Sequence, residues 1–288
     1  MENLAVTAPN GNSAPFEEFA CEEIEGRFDG AAMVRVLTGR LTACHMKSVI
    51  DPEVCASIAE NFWTSSARAP RQDDAPAVVV GAYHFEKTTE EYLEQCAQQR
   101  PAVESLFRST RNPLRDFEAS LARAVQRTGA IVRRAEHRGR PAGECRAIAW
   151  SAPGPYMLEP HDDLAPLAMA RQHGFEVQDV LRHVTMAVNM YISTPHTGGE
   201  LRLWNLRPDR EFRRRYGVED RGHPYPPAAV EGYPSIVIAV KPGDCLVFNG
   251  AFVHAVHSAP APSGPHDARL SLTFFVGFKD DRSVLWWT

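Results

Sequence analysis

From residue 145 onward the chain breaks into short apolar runs separated by glycine or proline at nearly every gap. Cys145–Trp150, His183–Ile192, Glu200–Trp204, Ser235–Val240, Cys245–Phe248 and Leu270–Phe278 follow one another in this way. The gaps read Ala152-Pro153-Gly154-Pro155, Thr197-Gly198-Gly199 and Lys241-Pro242-Gly243-Asp244. Runs of this length are too short for core helices, and such punctuation is the turn chemistry of a β-sandwich or barrel. This half of the chain therefore closes into a sandwich or a barrel.

The first half has a different texture. Asp51-Pro52-Glu53 reads as an N-cap, an N1 proline and a first-turn acid, and Val54–Trp63 continues with helical spacing. Thr88–Phe107 is charged with apolar residues at helical intervals. Leu114–Thr128 places Phe117, Leu121 and Val125 on one stripe. Ala77–Tyr83, entered through Pro76, reads as a buried strand, and Ala31–Met46 as a strand or two. Residues 1–30 mix small polar residues with Glu17, Glu18, Glu22, Glu23 and Glu25 and read as a loosely held leader. The expectation is an α+β, mainly β fold in one domain over 31–288. Residues 31–144 form a helical support region, 145–280 the β core, and 206–234 a lid or insertion.

Composition narrows the function class. In 288 residues, 44% are apolar and 23% charged, as in an ordinary globular protein. A net charge of −5 argues against nucleic-acid binding, which needs a positive field. The six cysteines are scattered with no Cys-x-x-Cys pair, so neither a disulfide framework nor a zinc knuckle is expected. Met1–Phe16 lacks the apolar stretch of a signal peptide, and no run approaches the length of a membrane span. A cytoplasmic protein, monomeric or homodimeric, is expected, acting on a small molecule. A carrier-protein partner has only the basic clusters, such as Arg213-Arg214-Arg215, to suggest it.

The chemistry gathers around His161-Asp162-Asp163 and the later His254. Residues two apart on an extended segment share a face, so His161 and Asp163 point together and Asp162 points away. Asp162 then faces hydrogen-bonding neighbours or solvent, and Asp162→Ala should leave iron binding largely intact. With His254 returning to the same mouth, two histidines and a carboxylate can cap one face of an octahedral metal and leave the other open. His257 is a rival for the second imidazole. Arg269, beyond His254 at the start of the last long strand, offers a planar fork for a carboxylate.

These residues, with Met190-Tyr191-Ile192, Gly198-Gly199-Glu200-Leu201, Gly243-Asp244-Cys245-Leu246-Val247-Phe248 and Arg269-Leu270-Ser271-Leu272, resemble the Fe(II)/2-oxoglutarate-dependent oxygenases. The resemblance covers about 145–280 and implies a double-stranded β-helix (jelly-roll, cupin-like) core. It implies His161, Asp163 and His254 as iron ligands, with 2-oxoglutarate and O2 as co-substrates and succinate and CO2 as products. Arg269 would hold the far carboxylate of 2-oxoglutarate, and Asn189 is a further candidate for it. Against the family's usual spacing, Ala259–Pro265 looks like a small insertion. More faintly, Arg27-Phe28-Asp29-Gly30 and Val284-Leu285-Trp286-Trp287-Thr288 are similar to free-standing alkaloid halogenases and hydroxylases of natural-product pathways. Halogenating members carry Gly or Ala at the carboxylate position. Asp163 stands there in this chain, which favours hydroxylation of a natural-product or amino-acid-like substrate.

Trp150, Tyr156, Arg207 and Arg210 are candidate substrate contacts. Trp204, Trp286 and Trp287 read as core or interface. Two other functions compete: a cupin-type metal-dependent isomerase or epimerase, and a non-catalytic jelly-roll binding protein. The first usually adds a histidine near His161, and none is in sequence. The intact His/Asp/His set argues against the second.

Overall fold

A computed structural model of the chain describes residues 11–12, 19–71, 75–151, 154–182, 184–219, 221–259 and 267–288. Most of Met1–Phe16, the 152–153 part of the Ala152–Pro155 turn, His183 and most of the Ala259–Pro265 insertion lie outside the described residues.

The organising element is the strand Thr185–Ser193, whose side chains alternate between two environments. Met186, Val188, Met190 and Ile192 join a core beneath the helices, while Ala187 and Tyr191 join a second core on the other side. Cys245–Asn249 and Arg269–Asp280 flank it antiparallel. Around them lies a ten-stranded sheet. One wing carries Ala43–Lys47 and then Cys21–Glu25. The other carries Arg146–Trp150 and Ala77–Val80. Ser283–Trp287 folds back on the long strand and pairs in parallel with Ile131–Arg134.

A four-stranded sheet, ordered Tyr156–His161, His254–His257, Leu201–Trp204 and Ser235–Ile238, shares the second core with the large sheet. Met157, Leu201, Leu203 and Val256 from the small sheet meet Ile148, Trp150, Leu246 and Phe248 from the large one. The fold is thus mixed α/β and mainly sheet.

On the outer face of the large sheet lie Gly30–Leu37, Pro52–Thr64 and Pro113–Gln126, with Thr89–Ser105 near its far wing. Pro113–Gln126 turns Phe117 edge-on to Phe274, which in turn stacks on Trp286 at 4.1 Å. Trp286 and Trp287 are core residues. Thr89–Ser105 begins with a reciprocal capping box between Thr88 and Glu91. Pro52 takes the first turn of its helix as expected, although the Asp51 side chain makes no capping bond.

Two expectations for the first fifty residues need correction. Ala31–Met46 gives a strand only at its end, Ala43–Lys47; Gly30–Leu37 is helix, started by Asp29, whose carboxylate accepts from Ala32 N–H at 3.0 Å. Gly30 sits there because a Cβ would lie 2.2 Å from the Ser120 carbonyl, so the two helices approach where only glycine fits. Cys21–Glu25, expected to be loose, is a strand in register with Ala43–Lys47. Segment 206–234 also has structure of its own. It holds the helices Arg210–Arg215 and Pro227–Val230 and a cluster built on Leu206, Phe212, Val218 and Tyr225. Among the described residues, no helix is long and apolar enough to cross a membrane.

Candidate metal centre and its cavities

His161 ends one strand of the small sheet and His254 opens its neighbour, and the two are paired across the ladder. Their rings consequently lie 4.1 Å apart, centre to centre. Asp163 follows His161 on a turn whose N–H donates to the Gly250 carbonyl at 2.8 Å. Gly250 must be glycine for a steric reason: a Cβ there would lie 2.6 Å from Asp163 Oδ2. Asn249-Gly250 is therefore more than a turn, because it makes room for the carboxylate.

The donor set fits a divalent metal. Nδ1 of His161 lies 2.7 Å from the Glu159 carbonyl, and Nδ1 of His254 lies 2.9 Å from that of Phe252. A carbonyl only accepts, so each Nδ1 carries the proton and each Nε2 keeps its lone pair for a metal. His254 Nε2 is 3.4 Å from Asp163 Oδ2 and His161 Nε2 is 3.9 Å from Oδ1. One donor atom from each residue falls within 4.8 Å of the others. Asp163 Oδ2 is buried with no hydrogen-bond partner, a costly arrangement that a cation would relieve. Burial pushes the Asp163 carboxyl up to about 6, against the opposing pull of His254. Burial, and then the neighbouring His254 and His223, hold His161 well below its ordinary value. The His161 imidazole is thus neutral, as metal ligation requires.

Asp162 points away from Asp163, as the spacing predicts, but not toward solvent. It is 1% exposed. Its carboxylate accepts from Arg213 through Nε at 3.1 Å and Nη2 at 2.8 Å, and from the Tyr225 hydroxyl at 2.8 Å. Arg213, from the basic cluster Arg213-Arg214-Arg215, is its largely buried partner and not a free surface charge.

Two cavities meet at the triad, sharing His161, Asp163, Arg146, Trp150, Leu158 and Phe275. The smaller, about 60 Å³, runs over Phe248 to Asn189 and Arg269. Arg269 is buried, donating from Nε to the Gly199 carbonyl at 3.0 Å and from Nη2 to the Tyr191 hydroxyl at 3.2 Å. The larger cavity, about 270 Å³, reaches Arg71, His84, Phe85, Arg221 and His223. Burial lowers His84 to about 4, so it lines this wall uncharged.

Several sequence candidates lie elsewhere. Tyr156 lines neither cavity and packs against Trp204 and His257. Arg207 sits over the Phe252 ring, and Arg210 is an exposed partner of Glu219. Neither lines the two cavities, and the segment that carries them packs on its own apolar cluster. His257 lies outside the triad, 3.5 Å from Glu200, on a strand that turns it away from His254's side. Sequence reading missed Arg71, Arg146, His84, Arg221 and His223. Only tertiary folding brings these together, and no local spacing marks them.

Two imidazoles, one carboxylate and an arginine at the end of a small adjoining cavity define a mononuclear non-haem metal enzyme. The family described as carrier-protein-independent halogenase WelO5 matches residues 14–288, and the chain belongs to it. It is 29% identical over 246 residues to an L-isoleucine 3(1)-dioxygenase of Pantoea ananatis, covering 82% of this chain and 79% of that protein. An N-substituted L-amino acid dioxygenase from Burkholderia ambifaria has the same fold. The TM-score is 0.58 at 16% identity, over 90% of this chain and 91% of that one. A structure described as that dioxygenase in complex with alpha-KG gives 0.54 at 15% identity, over 90% of both chains.

Proposed function

We propose that the chain is a non-haem Fe(II)- and 2-oxoglutarate-dependent dioxygenase. It hydroxylates an unactivated C–H of a free, amino-acid-like small molecule and releases succinate and CO2. The observation that carries this reading is a three-ligand metal cluster at the junction of two cavities, one ending on a buried arginine. The core is read as a double-stranded β-helix, supported by the two sheets that share one apolar interior. The amino-acid class is supported by the names of the Pantoea and Burkholderia relatives.

His161, Asp163 and His254 would hold the iron, which supplies O2 activation when bound. Arg269 binds the far carboxylate of 2-oxoglutarate, its fork oriented by Gly199 and Tyr191. Asn189, lining the same cavity, offers a further amide. Phe248, Leu158 and Phe275 keep water from the junction. The larger cavity presents Arg71 and Arg146, beside Arg221 in its ion pair with Glu86, a cationic wall suited to a substrate carboxylate. Its Trp150 and Phe85 give the rest of the substrate an apolar bed. Asp163 fills the third ligand position, which favours hydroxylation over halogenation.

Purified protein with Fe(II), 2-oxoglutarate and O2 should release succinate in step with a hydroxylated product when offered free or N-substituted L-amino acids. Without O2, adding 2-oxoglutarate to the Fe(II) protein should raise a weak visible charge-transfer band. Absence of the band, together with no succinate above the substrate-free background, would sink the oxygenase reading.

A further inference from the structure

We propose that Arg213 and Tyr225 are positioning residues for the metal centre, acting through Asp162 to set the backbone that aims His161 and Asp163. The proposal rests on the metal reading above and goes beyond it to residues outside the ligand set.

Asp162 stands between two ligands, and its side chain is held harder than either. It accepts from Arg213, Tyr225 and the backbone N–H groups of Leu164 at 3.0 Å and Ala165 at 2.9 Å. The Arg213 fork is bidentate, so it fixes the plane of the carboxylate as well as its place. Asp162 lies one residue from each ligand, so whatever anchors it restrains the peptide planes on either side of it. A loose Asp162 lets both neighbours turn, so Asp162→Ala, expected from spacing alone to leave iron binding largely intact, should weaken it.

The backbone repeats the clamp. Asp162 N–H donates to the Gly222 carbonyl at 3.0 Å, and Tyr225 N–H donates to the Pro160 carbonyl at 2.8 Å. At Gly222 a Cβ would lie 2.8 Å from both Asp162 O and Oδ2, so the two strips touch where only glycine allows it. The strip that makes this clamp also sends Arg221 and His223 into the larger cavity. The His223 ring lies 6.0 Å from that of His161. One network therefore fixes the substrate wall and the metal ligands to each other.

A buried ion pair could serve stability alone, and the two roles separate experimentally. Residues that orient metal ligands typically change metal affinity by about 10- to 100-fold when removed. Co(II) serves as the probe, because its visible spectrum reports both affinity and ligand geometry without turnover. Arg213→Met and Tyr225→Phe should weaken Co(II) binding by about 10- to 100-fold and alter the spectrum. Arg214→Met, which removes an exposed neighbour paired with Glu219, should match the parent. Parent-like Co(II) affinity and spectrum in both network variants, with only a lower melting temperature, would overturn the proposal. If Arg213→Met does not fold, Tyr225→Phe decides by the same criterion, since it removes a single hydroxyl. Failure of the parent itself to bind Co(II) would instead overturn the metal reading beneath it.

Discussion

The two faces of the large sheet are made from the same strands and have opposite characters. Toward the helices stand Met186, Val188, Met190 and Leu272, each no more than 1% exposed, and the space is filled. Toward the small sheet the same strands present Arg146, Asn189, Tyr191, Thr273 and Arg269, and two cavities remain. There too, Thr185 Oγ1 and Ser271 Oγ are buried without hydrogen-bond partners. One face holds the fold together and the other gives up packing to hold a site. A period-two alternation lets one strand do both, because neighbouring residues never compete for the same side.

Substitution should divide along the same line. The largest effect belongs to Asp163→Ala, which removes a proposed metal ligand rather than its support. Hydroxylation should fall by more than the roughly 100-fold that loss of an outer-shell partner costs, while the apo protein keeps its melting temperature. Steady-state succinate release paired with calorimetry would check it. A variant that still hydroxylates at more than a few per cent of the parent rate would break the assignment.

On the opposite face, Leu272→Ala should cost about 2–5 kcal/mol of stability by opening a cavity in a filled core. Its kcat on the folded fraction should change little. Urea denaturation beside kinetics at low temperature separates these quantities. A kcat loss as large as the stability loss would show that the faces are not independent.

Arg269→Met comes next. It removes charge-assisted hydrogen bonds worth about 1.5–3 kcal/mol each, so the KM for 2-oxoglutarate should rise by about 10- to 100-fold. If the primary substrate binds in the other cavity as proposed, its KM should hardly move. Equal rises in both would mean that the two cavities do not divide the two substrates.

The contrast between the faces also explains what could be read from sequence. Alternation along Thr185–Ser193 and the spacing of His161 and Asp163 are local, so the strand and the shared direction of two ligands were legible. The helix Gly30–Leu37 was misread because Val34 and Val36 alternate like a strand. Its Asp29 cap and the left-handed Gly39 after it were the available signals. Arg71 and His84 reach the cavity from the far wing, and Arg221 and His223 from the segment clamped on Asp162. Their positions depend on how distant elements dock, which no local periodicity encodes. Asp162 shows the boundary most clearly: its direction followed from spacing, but its partner, fifty-one residues away, did not.

The smallest expected effects are on pH, where two carboxylates should act in opposite senses. Asp163 is pushed up to about 6 by burial. In the metal-free protein its contribution to stability is complete below the ordinary value of 3.8 and is lost as pH rises through about 6. A metal needs the ionised form, so stabilisation by Co(II) should fade as pH drops through the same region. For Glu176, burial works to raise the carboxyl, but hydrogen bonds from Arg133, Lys279 and the Glu136 N–H outweigh it and bring the value to about 2. Its contribution is present above the ordinary 4.5 and is lost as pH falls through about 2. Melting curves of the apo protein, of Asp163→Asn and of Glu176→Gln between pH 3 and 8 would separate the two. Asp163→Asn should remove the dependence around pH 6, and Glu176→Gln should flatten only the acid limb. The reverse pattern would mean that the site face, and not the anchored surface cluster, carries the acid sensitivity.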